Sequence, residues 1–173
     1  MKFSYKDELA KLSKEQIIDY CEMMANNWWN LQNNWMLNIS KDFGSEVAAK
    51  YDAAVFGRQA EVQAYRLKKM FNLSDDMPSF LKAMCLSTLL ANVDYEITEI
   101  TDKHCRVGVT RCSMQLNRRK AGLPELPCKI AGIEANGRFA RAINPKFKMT
   151  CTVCPPDKHT EDLWCEWVFD LID

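Results

Sequence analysis

The apolar residues of this chain change period once along its length. Up to about residue 93 they recur every three or four positions, and from residue 95 they alternate. A period near 3.6 draws an apolar stripe along a helix, and a period of two fills one face of a strand. The expected fold class is therefore α+β, with N-terminal helices packed on a C-terminal antiparallel sheet. One domain is expected over residues 1–173, with a helical part at 1–93 and a sheet part at 94–173.

Ser13-x-x-Gln16 has the form of a capping box at a helix start. Ile17, Cys21, Met24, Trp28, Leu31 and Trp35 follow at steps of 4, 3, 4, 3 and 4, which predicts one core-facing stripe. Gly44 ends this helix. A second helix is expected from about Glu46 to Phe71, with Tyr51, Val55, Val62 and Tyr65 on its stripe and Arg58 among them. Asp75 and Asp76 introduce a third, roughly Pro78 to Asn92, with Phe80, Ala83, Met84, Ser87 and Leu90 inward.

Cys105, Val107 and Val109 alternate with Arg106, Gly108 and Thr110. Phe147, Met149 and Cys151 alternate with Lys148 and Thr150, and Leu163 to Leu171 alternates throughout. These are three half-buried strands, with a fourth expected at Tyr95–Thr101 and a turn at Asp102-Lys103. The run Arg118-Arg119-Lys120, followed by Gly122 and Pro124, reads as a helix end and a loop. Cys128 to Ala135 is expected as a short helix and Phe139 to Ile143 as a separate turn.

Lys and Arg total 23, as do Asp and Glu, so the formal net charge is zero. That balance argues against nucleic acid as the main partner. The N-terminal residues lack the apolar core of a signal peptide, and no window approaches the ~18 unbroken apolar residues of a membrane span. A cytoplasmic protein with no membrane partner is expected. Its oligomeric state is not legible from the chain.

Eight cysteines in a reducing compartment point to thiol, metal or redox chemistry rather than disulfides. Cys151-x-x-Cys154 can place two thiolates on one ion, and Pro155-Pro156 gives the turn a rigid exit. Cys112, Cys128 and Cys165 lie at strand ends or loops, where they can converge on that pair. Cys112, Cys128, Cys151 and Cys154 are the candidate metal ligands, with Cys165 as the remaining thiol. Thiolates favour zinc or an iron–sulfur cluster. Cys21, Cys85 and Cys105 read as core residues.

Arg58 and Glu61, three apart on a helix, can pair with each other or meet an anionic ligand. Trp28, Trp29 and Trp35 stand among asparagines, including Asn34, so Trp35 and Asn34 are candidate walls of a small-molecule pocket. For the stripe residues Trp28 and Trp35, plain core packing is the competing reading. His159, close behind Cys154, is a candidate acid–base group or a solvated loop residue. No phosphate loop, nucleophile elbow or HExxH pattern occurs.

The second half also carries a family resemblance. It rests on Cys112, Arg118-Arg119-Lys120-Ala-Gly122-Leu-Pro124, Pro127-Cys128-Lys129 and Gly137-x-Phe139-Ala140-Arg141. It continues through Asn144-Pro145, Cys151-x-x-Cys154-Pro155-Pro156-Asp157 and Trp164-Cys165-x-Trp167-x-Phe169. This pattern resembles a family of cysteine-rich cytosolic proteins related to aminothiazoline-carboxylate hydrolase-like proteins. More distantly it is similar to 4-vinyl reductase-type ligand-binding domains. The resemblance implies helices on a curved antiparallel sheet, a cavity between them, and cysteines gathered into a site.

Three functions are thereby in view. The first is a metal- or iron–sulfur-binding protein with a small-molecule pocket. The second is a hydrolase of a cyclic C–N bond. There Cys165 or a metal-bound water would attack, Arg58 would hold a substrate carboxylate, and Glu61 or His159 would move protons. The third is a non-enzymatic small-molecule sensor.

Overall fold

Ser13 starts the longest helix of the protein with both halves of its capping box formed, its hydroxyl accepting from Gln16 N and the Gln16 side chain accepting from Ser13 N. The structure is a computed structural model describing residues 4–173. Among those residues the helices are α1 (Tyr5–Leu9), α2 (Lys14–Phe43), α3 (Ser45–Phe71), α4 (Met77–Cys85), α5 (Ser113–Lys120) and α6 (Lys129–Ile143). The strands are β1 (Val93–Thr98), β2 (His104–Cys112), β3 (Phe147–Val153) and β4 (Cys165–Leu171). They form one antiparallel sheet in the order β1-β2-β4-β3, so the expected α+β architecture is the observed one. No helix among the described residues is long and apolar enough to cross a membrane.

The alternation read from the sequence sets the two faces of the sheet. Cys105, Val107 and Val109 are buried on β2, opposite Phe169, Trp167 and Cys165 of β4. The other face carries charge, with Arg106 Nη1 donating to Glu166 at 2.6 Å and His104 Nδ1 at 2.7 Å from Asp170. The buried face packs on α3, α4 and α6 in one core that includes Phe80, Phe139, Phe147 and Phe169.

The helical stripes differ from expectation. On α2 the buried side chains are Trp29 and Met36, while Ile17, Met24, Leu31 and Trp35 are exposed, Leu31 by 70%. No residue from 14 to 27 is buried; α1 touches this half of α2 through Tyr5 and Tyr20, whose hydroxyls lie 2.6 Å apart. On α3 the large residues Tyr51, Val55 and Tyr65 face outward. The buried face is instead Ala49, Ala53, Phe56, Ala60 and Ala64, with Ala48, Asp52 and Gly57. These small residues let α3 approach α6 closely. A Cβ added at Gly57 would stand 3.0 Å from Glu134 Cβ.

Three smaller expectations also change. Cys21 and Cys85 are exposed rather than core, whereas Cys105 is buried as expected. The third helix stops at Cys85, where Ser87 N and its hydroxyl both bond Met84 O, and residues 86–92 turn toward β1. The two short pieces expected over 128–143 are one helix, α6, running through Gly137 without a break.

Candidate functional site

The sequence brings cysteines to one place by ending elements there. Cys112 is the last residue of β2 and precedes α5. Cys128 is the cap of α6. Cys154 follows β3, and Cys165 opens β4 directly across from Val109. These four line one partly open cavity of about 90 Å³, together with Trp29, Gln32, Asp52, Asn136 and Trp167. That is room for several water-sized groups. Cys151 is not among its walls. It is half-buried on β3 opposite Trp167, with the Lys129 charge nearby.

Cys154 and Cys165 are in contact, the Cys165 thiol donating to Cys154 Sγ at 3.3 Å. The Cys154 loop is tied to the start of α6. Lys129 N donates to Pro155 O at 2.9 Å, and the Lys129 ammonium holds Asp157 at 2.7 Å. Asp157 in turn accepts from Cys154 N at 3.2 Å. Cys128 is held from the other side by Gln115, a fully buried amide whose Nε2 donates to Leu126 O at 2.8 Å and to Cys128 Sγ at 3.2 Å.

Three of these thiols, Cys112, Cys128 and Cys154, have their pKa values raised. Burial pushes Cys112 up to about 11, the amides of Gln115 and Met114 offsetting it only in part. Burial, then the neighbouring Cys165 and Cys112, raises Cys128 well above the ordinary thiol range. Contact with Cys165 and burial do the same for Cys154. A neutral thiol is a poor nucleophile, and it becomes a strong ligand once a metal displaces its proton. Among the described residues no three His, Cys, Asp or Glu side chains already stand so as to hold one ion.

The remaining predicted site residues fall elsewhere. Arg58 and Trp35 line an outer groove of about 660 Å³ between α2 and α3, with Trp28, Leu31, Gln32, Asp52, Val55 and Phe56. Arg58 donates to Glu61 at 2.8 Å within the same helix, on the surface. Glu61 lines neither space, and Asn34 is exposed outside both, its carbonyl accepting from Asn38. His159 does not line the Cys165 cavity. Its Nδ1 is 2.8 Å from Thr160 O, its Nε2 3.1 Å from Glu125, and its ring lies 4.7 Å from Trp164. Acceptors on both ring nitrogens favour the imidazolium, so its pKa is raised, first by the Thr160 carbonyl and then by Glu125 against the cost of burial.

Sequence reasoning passed over Asp52. It is 4% exposed on α3, and its carboxyl accepts from Gln32 Nε2 at 2.7 Å. Burial raises its pKa, the Gln32 bond offsetting this in part. A signal was present: Asp52 falls on the stripe of alanines that α3 buries, where an acid is costly unless it serves a purpose.

Residues 10–171 match DUF6125, a family of unknown function, and the chain belongs to that family. No curated protein and no solved structure matches it.

Proposed function

We propose that this chain is a metal- and small-molecule-binding protein, its clustered cysteine thiols holding zinc or an iron–sulfur cluster in the cavity beside a groove for an organic ligand. The observation that carries the reading is that Cys112, Cys128, Cys154 and Cys165, from four separate segments, line one cavity. Soft thiolates select soft metals, and four of them complete either kind of centre. The Cys154–Cys165 separation of 3.3 Å is near the ~3.8 Å between two thiolates on one tetrahedral zinc, given Zn–S bonds of ~2.3 Å. Metal uptake would draw Cys112 and Cys128 inward by side-chain rotation. The adjoining groove, with its aromatic walls, supplies the space for an organic ligand.

The test is purification without oxygen, followed by assay of iron, zinc and sulfide per chain. The denatured supernatant is analysed by mass spectrometry for small molecules carried through purification. One zinc, or stoichiometric iron and sulfide, is expected, and Cys154→Ser and Cys165→Ser should each reduce it sharply. A folded protein free of metal, with all eight thiols titratable, would overturn the metal part of the reading.

A further inference from the structure

Gln32, Asp52 and Phe56 line both the outer groove and the thiol cavity, and so form the wall that the two spaces share. The polar groups at this wall are mismatched. Gln32 spends an amide hydrogen on Asp52, and its Oε1 is left buried with no donor. Gln32 is the hydrogen-bond partner of the Asp52 side chain among the described residues. A buried acceptor without a donor is costly, and a buried carboxylate without a counter-charge costs more. Both deficits have one remedy, a group that brings several N–H donors and a positive charge.

We propose that the groove binds a small organic cation, a primary ammonium or amidinium on an apolar body. Its charged N–H end lies at the wall formed by Asp52 and Gln32, facing the Asp52 carboxylate, and its body lies on Trp28, Trp35, Leu31 and Val55. Aromatic faces beside the site add attraction for the cation. Trp28 and Phe56 pack with ring centroids 5.4 Å apart, so two of the walls are held in place. The other charge at the groove is Arg58. Its side chain is 67% exposed and engaged by Glu61, which leaves the buried end acidic. The inference rests on the small-molecule part of the proposed function and is independent of any metal.

Tryptophan fluorescence and titration calorimetry at neutral pH test it with three ring-matched probes: benzamidine as the cation, benzyl alcohol as the neutral, benzoate as the anion. Benzamidine is expected to bind the wild-type chain, with benzyl alcohol at least tenfold weaker and benzoate weaker still. Asp52→Asn keeps the shape and should weaken benzamidine at least tenfold. Gln32→Leu should weaken it several-fold, and Arg58→Ala should leave it equal or tighter. Equal binding of benzamidine by wild type and Asp52→Asn overturns the assignment. Binding of benzyl alcohol or benzoate without benzamidine overturns the cation and leaves the pocket standing. No binding by any of the three overturns both.

Discussion

Gly132 faces Trp167 across the junction of α6 and β4, and an alanine there sets two known effects against each other. In a helix interior alanine is favoured over glycine by about 1 kcal/mol. The added Cβ, however, would lie 2.5 Å from Trp167 Cη2 and 2.8 Å from Cζ2. Ordinary carbon contacts begin near ~3.5 Å, so the ring or the helix must move by about 1 Å. Trp167 is 5% exposed and paired in register with both Val107 and Cys151, which resists that movement. Overpacking of this kind costs about 1–3 kcal/mol, so Gly132→Ala should be destabilising by roughly 0–2 kcal/mol overall. Gly137, in the same helix, is the control. Its added Cβ would meet the movable Arg141 guanidinium at 3.2 Å and Met149 Cε at 3.6 Å. There the helix preference should win and stabilise by about 1 kcal/mol. The gap of about 1–3 kcal/mol corresponds to some 2–12 °C in Tm for a chain of this size. Thermal unfolding followed by circular dichroism reads it. If Gly132→Ala melts at or above Gly137→Ala, the close approach of α6 to Trp167 is refuted.

Burial raises the folded pKa of Asp52, so folding favours its protonated form more than the unfolded chain does. Its stabilising contribution is complete below the unfolded value near ~3.9 and falls as pH rises through the folded value. Asp52→Asn should therefore be more stable than wild type at pH 7, with the gap closing toward pH 3; urea midpoints across that range would contradict this if the gap were constant. His159 runs toward higher pH. Its raised pKa gives a contribution complete below about 6.5 and lost as pH passes the folded value, and His159→Gln should remove that step from a urea titration between pH 6 and 9. Exposed Cys21 and Cys85 should react first with an aromatic disulfide reagent, half-buried Cys128, Cys151 and Cys165 more slowly, and buried Cys105, Cys112 and Cys154 last. Six or more fast thiols in the native protein would mean that the buried thiols are not shielded. Diamide, which accepts two electrons and two protons, should join Cys154 to Cys165 before any other pair; a peptide map showing a different first disulfide would count against their 3.3 Å contact.

The sheet was largely legible in the sequence because alternation is a local consequence of strand geometry. Cys105, Val107 and Val109 need no partner in view to reveal which side is buried. The same holds for the caps, where Ser13 and Asp76 satisfy backbone groups only three residues away. The helical stripes were legible as helices and misleading as faces. Periodicity says that Leu31 and Trp35 share a side of α2, but only the placement of a neighbouring helix says whether that side is covered. On α3 the buried side is chosen by how closely α6 approaches, and that distance favours alanine and glycine over the larger Tyr51 and Val55.

The cysteine site divides in the same way. From the chain alone come the types of donor and their positions at the ends of elements. Which thiols meet was decided by strand pairing: the β4 register sets Cys165 against Val109, within reach of Cys154, while Cys151 sits within β3 opposite Trp167. Asp52 and Gln32 lie 20 residues apart on two helices, and nothing local predicts that they touch. Spacing along a chain determines periodicity, capping and donor chemistry, because these act over a few residues. Burial, pKa and the identity of the pocket walls depend on what another segment excludes from water, and only tertiary packing supplies that.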